Sequence, residues 1–197
     1  LATQWQTTTT LANGHTSQIS SLGTQVNLRA TKAEVEGSLG AVNLITNGGN
    51  IQSTAGWYGS VGLSKHAFYK NDTANLLHLN TAGTTEIAAS GEYFNIEPNT
   101  EYTITFYGFA SGNVKSMDLH FLSKKHTSSN THDNARLLVT TKLSGGNLDS
   151  RSVTFTTNAT DNQAYIRFDN NGSTNGANAG LYIVDITLVK GPVAPSA

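Results

Sequence analysis

Tyr102-Thr103-Ile104-Thr105-Phe106-Tyr107-Gly108-Phe109 alternates with period two and is rich in β-branched and aromatic side chains. That is the pattern of a half-buried strand. Tyr102, Ile104 and Phe106 share one face and form a candidate core, with Thr103, Thr105, Tyr107 and Phe109 opposite. Working outward, further strands are expected over 76–80, 117–122, 137–141, 152–157, 164–169 and 181–189. Turn signals separate them: Glu97-Pro98-Asn99, Ser111-Gly112-Asn113, Ser144-Gly145-Gly146-Asn147 and Asn170-Asn171-Gly172. Short strands at this spacing predict an all-β sandwich of about 150 residues. No internal repeat is evident. Gly191-Pro192-Val193-Ala194-Pro195 cannot continue a central strand and ends the domain.

The composition agrees. The 197 residues carry 12 basic and 13 acidic side chains, a net charge of −1, and charged residues are only 13%. No broad basic field exists for nucleic acid or an anionic membrane. The chain has no cysteine, which excludes disulfides, thiolate metal sites and cysteine nucleophiles. No apolar stretch approaches the ~20 residues of a membrane span. The sequence begins at Leu1 without a signal-peptide pattern, and we read it as a fragment of a longer protein.

The first forty residues differ. Thr7 to Thr10 are consecutive threonines, and Trp5 is the one aromatic residue. Ile19, Leu22 and Val26 fall at helix-seam spacing, but Arg29 and Ala33 follow and the seam fades. Thr31-Lys32-Ala33-Glu34 fits a capping box. The expected organisation is a partly helical or extended connector over 1–42, the sandwich over 43–191 and a tail over 192–197.

Alternation also sorts the strand faces. Ile166 and Phe168 point inward, leaving Tyr165, Arg167 and Asp169 opposite. Leu119 and Phe121 leave Asp118 and His120 outward. Leu77 and Leu79 leave His78 outward.

Asn43-Leu44-Ile45-Thr46-Asn47-Gly48-Gly49-Asn50-Ile51, followed by Gly56-Trp57, resembles the opening of carbohydrate-binding modules of the family 4/9/22 type. Ile96-Glu97-Pro98-Asn99-Thr100-Glu101-Tyr102 resembles their approach to a central strand, and 179–188 their final strand. The resemblance covers about residues 43–191. It implies a jelly-roll, galactose-binding-like β-sandwich that binds saccharide without catalysis. It also implies a structural Ca²⁺ held by carbonyls of the first strand and a carboxylate of the last. Asp185 stands at the last-strand position, with Asn47 and Gln52 as the other candidate ligands. Ile51-Gln52 replaces the aromatic-acid pair of the family, which lowers the charge of the set. The Thr/Ser/Gln-rich connector resembles phage tail and baseplate accessory proteins. That likeness implies attachment to bacterial cell-wall saccharide, docking to other tail proteins through 1–42, and a place on the virion.

If the outward strands belong to one concave sheet, His78, Tyr107, His120, Arg167 and Asp169 line a sugar groove. Aromatic rings would stack on pyranose C–H faces and forked polar groups would bind hydroxyls. Tyr58, His66 and Tyr69, in the loop region after Trp57, complete the candidate set. Trp57 itself reads as either core or platform. On this reading Tyr107→Ala or Arg167→Ala weakens binding without moving the melting temperature. The competing readings are a ligand-free sandwich bracing an assembly, and a glycoside-active module. Asp118 and Asp169 leave a carboxylate pair open for the latter. No Gly-x-Ser-x-Gly elbow, phosphate loop or His-Glu-x-x-His motif is present, although His120, His126 and His132 recur at six-residue spacing.

Overall fold

A computed structural model describes residues 42–192 continuously. Before them it describes Thr3, Trp5, Gln6, Thr10, Asn13, His15, Thr16 and Gln18. These eight are helical and exposed, and the Thr10 hydroxyl donates to the Gln6 carbonyl at 2.9 Å, one turn back. The expected seam from Ile19, the capping box at Thr31 and the tail beyond Pro192 lie outside the described residues.

Eleven strands form the body over 42–192: β1 (Trp57–Gly59), β2 (Gly62–Lys65), β3 (Asn75–Thr81), β4 (Ile87–Gly91), β5 (Phe94–Asn95), β6 (Glu101–Ala110), β7 (Met117–Lys124), β8 (Asn134–Thr141), β9 (Asp149–Thr156), β10 (Gln163–Asn170) and β11 (Ala179–Lys190). One sheet runs β1-β4-β10-β7-β8, with β5 pairing β10; the other runs β2-β3-β11-β6-β9. All pairings are antiparallel. The architecture is the expected all-β jelly-roll sandwich.

Alternation builds the core. Ile104 and Phe106 of β6, Leu119 of β7, Ile166 and Phe168 of β10, and Leu181 and Ile183 of β11 are buried between the sheets. Phe106 meets Phe168 edge-on across the gap at 5.1 Å, and Phe121 meets Phe155 at 4.7 Å. Each such ring contributes roughly 1.5–3 kcal/mol by burial. Trp57 is core, 4% exposed, and its indole N–H donates to the Asn47 carbonyl. The opening phrase is tied to the closing strand. The Asn43 side chain donates to the Ile186 carbonyl and accepts from the Leu188 N–H, both at 2.9 Å. Gly48 packs so tightly on the Ile186 carbonyl that any Cβ would collide with it, while its own carbonyl takes the Ile186 N–H.

Two irregularities reset the alternation. In β11, Val184 pairs with Tyr107 but Thr187 with Thr105, so one residue is extra, and Asp185 adopts φ 48° there. Leu181 and Ile183 face inward before this bulge, Ile186 and Leu188 after it. In β8, Leu138 is the extra residue between Val139, opposite Leu119, and Leu137, opposite His120. That slip leaves Leu137 exposed on the outer face.

The structure departs from the alternation reading in places. Thr103 and Phe109, assigned to the outward face of β6, are buried. Thr103 is covered through hydrogen bonds to the Thr154 hydroxyl and the Gly191 carbonyl, and Phe109 through rings stacked on it.

Candidate functional site

The outer face of the β1-β4-β10-β7-β8 sheet carries the most chemistry. Register places Tyr58 beside Ser90, Ser90 beside Arg167, Arg167 beside His120 and His120 beside Leu137, a continuous row across five strands. On one side of it lie Tyr165 and Leu122, and on the other Asp169, Asp118 and Thr140.

At the Tyr165 end the face sinks into an open depression of about 500 Å³ lined by Tyr58, Ser90, Glu92, Tyr93, Thr131 and Tyr165. Tyr93 and Tyr165 meet edge-on at 5.1 Å. The Tyr93 hydroxyl donates to the Thr131 carbonyl at 2.6 Å, and the Tyr165 hydroxyl pairs with His132 Nδ1 at 3.1 Å. The loop between β7 and β8 thus forms one wall. Opposite, the Tyr58 hydroxyl donates to Glu92 at 3.1 Å, which raises its pKa. Burial, then the neighbouring Tyr93, raises that of Tyr165. Lys124 Nζ sits 4.8 Å over the Tyr93 ring and donates to the Ser128 and Asn130 carbonyls.

The middle of the face is locked by charge. Arg167 Nε and Nη2 each reach an Asp169 oxygen at 2.7 Å, and Nη2 lies 3.4 Å from Glu86. These hydrogen bonds raise the Arg167 pKa. His120 Nδ1 is buried 3.1 Å from the same carboxylate without a hydrogen-bonding angle, and Thr140 donates to Asp118 at 2.7 Å. Ligand atoms of Asp118, His120 and Asp169 lie within 4.8 Å of one another, the spacing of a metal cluster. Here the guanidinium already holds both Asp169 oxygens and supplies the positive charge. Asp169 is wholly buried, so it does not present an acid to a scissile bond.

The single groove expected from alternation divides in two. Tyr58, His120, Arg167 and Asp169 share this face. His78 and Tyr107 belong to β3 and β6 of the other sheet and cannot line it. Strand parity says which side of its own sheet a residue takes, not which sheet the strand joins. On the second sheet, Tyr182 is stacked between His78 and Phe109, each at 4.3 Å, and His66 and Phe68 pack on Phe109 at 4.5 and 5.1 Å. Burial lowers the His78 pKa, and its Nε2 has no partner. Tyr107 is 37% exposed on that side. His66 accepts the Phe68 N–H through Nδ1. Tyr69 is a core residue whose hydroxyl donates to Asp185 at 2.8 Å. His66, half-buried, and Tyr69, in the core, thus stand in the loop between β2 and β3.

The three candidate calcium ligands make other contacts, Asn47 and Gln52 through the amide nitrogen and not through the oxygen a cation would take. Asp185 takes the Tyr69 phenol, the Asn47 amide donates to the Ser53 and Ala55 carbonyls, and the Gln52 amide donates to Asn50. The carbonyls of Asn47 and Gly48 are taken by Trp57 and Ile186. The set offers one carboxylate with neutral oxygens, for a cation that takes six to eight oxygens.

Sequence reasoning missed Ser90, Glu92, Tyr93 and Thr131. β4 reads Ile-Ala-Ala-Ser-Gly, with little β propensity, so its flanks offered no strand from which to assign a face. Tyr165 was placed outward but not in the site.

No family model matches the sequence, and no curated protein does. Among solved structures the chain is similar to "Family 16 Carbohydrate Binding Module-2", at 22% identity and TM-score 0.54 over 75% of this chain and 99% of that one. It is similar to TmCBM61, solved in complex with β-1,4-galactotriose, at 13% identity and TM-score 0.53 over 77% and 100%. The enzymatically active domain of bacteriophage CBA120 tailspike protein 4 matches at 14% identity and TM-score 0.55 over 76% of this chain and 21% of that one. The fold over residues 42–192 is the jelly-roll β-sandwich of carbohydrate-binding modules.

Proposed function

We propose that the chain is a non-catalytic carbohydrate-binding module whose ligand lies along the outer face of the first sheet. It would serve a phage tail or baseplate by attaching to bacterial cell-surface saccharide. The observation that carries the binding reading is the tyrosine-lined depression of Tyr58, Tyr93 and Tyr165, which continues into the polar row Ser90–Arg167–His120. Tyrosine rings supply apolar stacking surface and hydroxyls in one side chain, the combination a pyranose needs. Binding by one shallow face is modest, and many copies on a particle would supply avidity. The virion setting, with docking to tail proteins through 1–42, is supported by the Thr/Ser/Gln-rich composition of that segment.

The test is binding of the fluorescently labelled chain to intact bacteria, chiefly a broad panel of Gram-positive strains. Saturable binding that extracted cell-wall polysaccharide competes away is expected, and Tyr58→Ala combined with Tyr93→Ala should abolish it. Absence of binding across the panel would favour the ligand-free brace. Repeating the assay and a thermal melt in EDTA tests the Ca²⁺ that the resemblance implies. A fall in melting temperature would make Asp185 a cation ligand; an unchanged melt would leave it bonded to Tyr69 alone.

A further inference from the structure

We propose that the glycan taken by this face carries a free ammonium group, an amino sugar without its acetyl, and that Glu92 receives it among the tyrosine rings. The inference rests on the carbohydrate reading above and names the class of sugar.

The charges of the face point this way. Glu86, Glu92, Asp118 and Asp169 stand against Arg167 and Lys124. Both cations are already engaged: Arg167 by Asp169 and Glu86, Lys124 by two carbonyls and the Tyr93 ring. Asp118 and Glu92 form no ion pair with a cation among the described residues, and each takes a single hydroxyl side chain, Thr140 and Tyr58 respectively. A phosphate- or uronate-bearing polymer would meet surplus negative charge and, in Arg167 and Lys124, cations already engaged. A cation meets the reverse. Around Glu92 the depression offers the rings of Tyr58, Tyr93 and Tyr165, whose π faces attract ammonium groups, and Tyr93 already holds that of Lys124. Aromatic rings around a carboxylate are the chemistry of an alkylammonium site. The same rings can still stack on the apolar face of the sugar that bears the amine.

The experiment is calorimetric titration of the full chain with glucosamine hexamer, N-acetylglucosamine hexamer and cellohexaose at about pH 6, where the sugar amine is protonated. The glucosamine hexamer should bind about tenfold more tightly than its acetylated counterpart, the scale of one desolvated cation–π contact. Glu92→Gln should erase that preference. Glu101→Gln, on β6 of the other sheet, should leave it intact, which separates the site from general attraction of a polycation. Equal affinity for the two hexamers, or a preference that survives Glu92→Gln, overturns the ammonium assignment while carbohydrate binding stands. Binding of none of the three also overturns it, and the cell-binding assay then judges the carbohydrate reading separately.

Discussion

Arg167 closes both prongs of its guanidinium on Asp169, two residues along the same strand face, with two bonds of 2.7 Å. Asp169 is wholly buried and the Arg167 side chain is 30% exposed. The pair is thus a structural clamp on the floor of the face.

Removing Arg167 leaves a buried carboxylate without its counter-charge. Arg167→Met should cost about 3 kcal/mol, the low end for breaking such a pair because the guanidinium is partly solvated. That corresponds to a fall of about 6–12 °C in melting temperature for a domain of this size. The double variant Arg167→Met/Asp169→Leu should recover part of the loss. This reverses the sequence-based expectation of an unchanged melt, and calorimetry of the three proteins checks it.

Asp161 is nearly fully buried and takes hydrogen bonds from Ser123, Asn134, Asn158 and Thr160, joining β7, β8 and the loop between β9 and β10. Burial pushes its carboxyl up, but these bonds together outweigh burial and hold the pKa below its ordinary value. A depressed carboxyl contributes stability that is full above its unfolded pKa, about 3.9, and is lost as pH falls through the folded value. Asp161→Asn should cost roughly 2–3 kcal/mol at neutral pH. The gap between variant and parent in urea melts should narrow below about pH 4.

The two sheets make opposite predictions for their tyrosines. Tyr58→Ala should weaken saccharide binding about tenfold, the upper scale of one aromatic stacking contact. Tyr107→Ala, on the other sheet, should leave it unchanged. Titration with extracted polysaccharide separates them, and equal losses would move the site off the first sheet.

Asn170 crosses between the sheets. Its buried amide donates to the Leu79 and Ala179 carbonyls at 3.0 and 2.9 Å, and its oxygen accepts the Gly172 N–H at 3.1 Å. Asn170→Leu fills similar volume but orphans three buried groups. It should cost at least 2–3 kcal/mol, read as a lower urea midpoint with the slope unchanged.

The long strands were legible because Tyr102, Ile104 and Phe106, or Ile166 and Phe168, spell alternation in large apolar residues. β1, β2, β4 and β5 were not, because strands of two to five residues are too short to show alternation, and β4 is mostly Ala, Ser and Gly. The candidate site was half legible. Parity turned Arg167, Asp169 and His120 outward, whereas the separation of His78 and Tyr107 from them depends on long-range pairing that no local pattern encodes. His66 and Tyr69 look like binding residues by type. The contact of His66 with Phe109 and the burial of Tyr69 against Asp185 come from the loop folding back onto its own sheet, which composition does not reveal.

The bulge at Asp185 bears on how the chain tolerates changes in length. With that residue removed, 181–188 would alternate inward and outward without interruption, matching β6 step for step. A single-codon deletion at 185 should therefore give a folded protein that has lost only the Tyr69 anchor. The same deletion at Ile183 would also restore alternation, but with Val184 in the inward place of Ile183 and one core side chain lost, while at Thr187 it would turn Asp185 inward and Ile186 outward. Within β11, the bulge is where a residue can be lost at the least cost to the core.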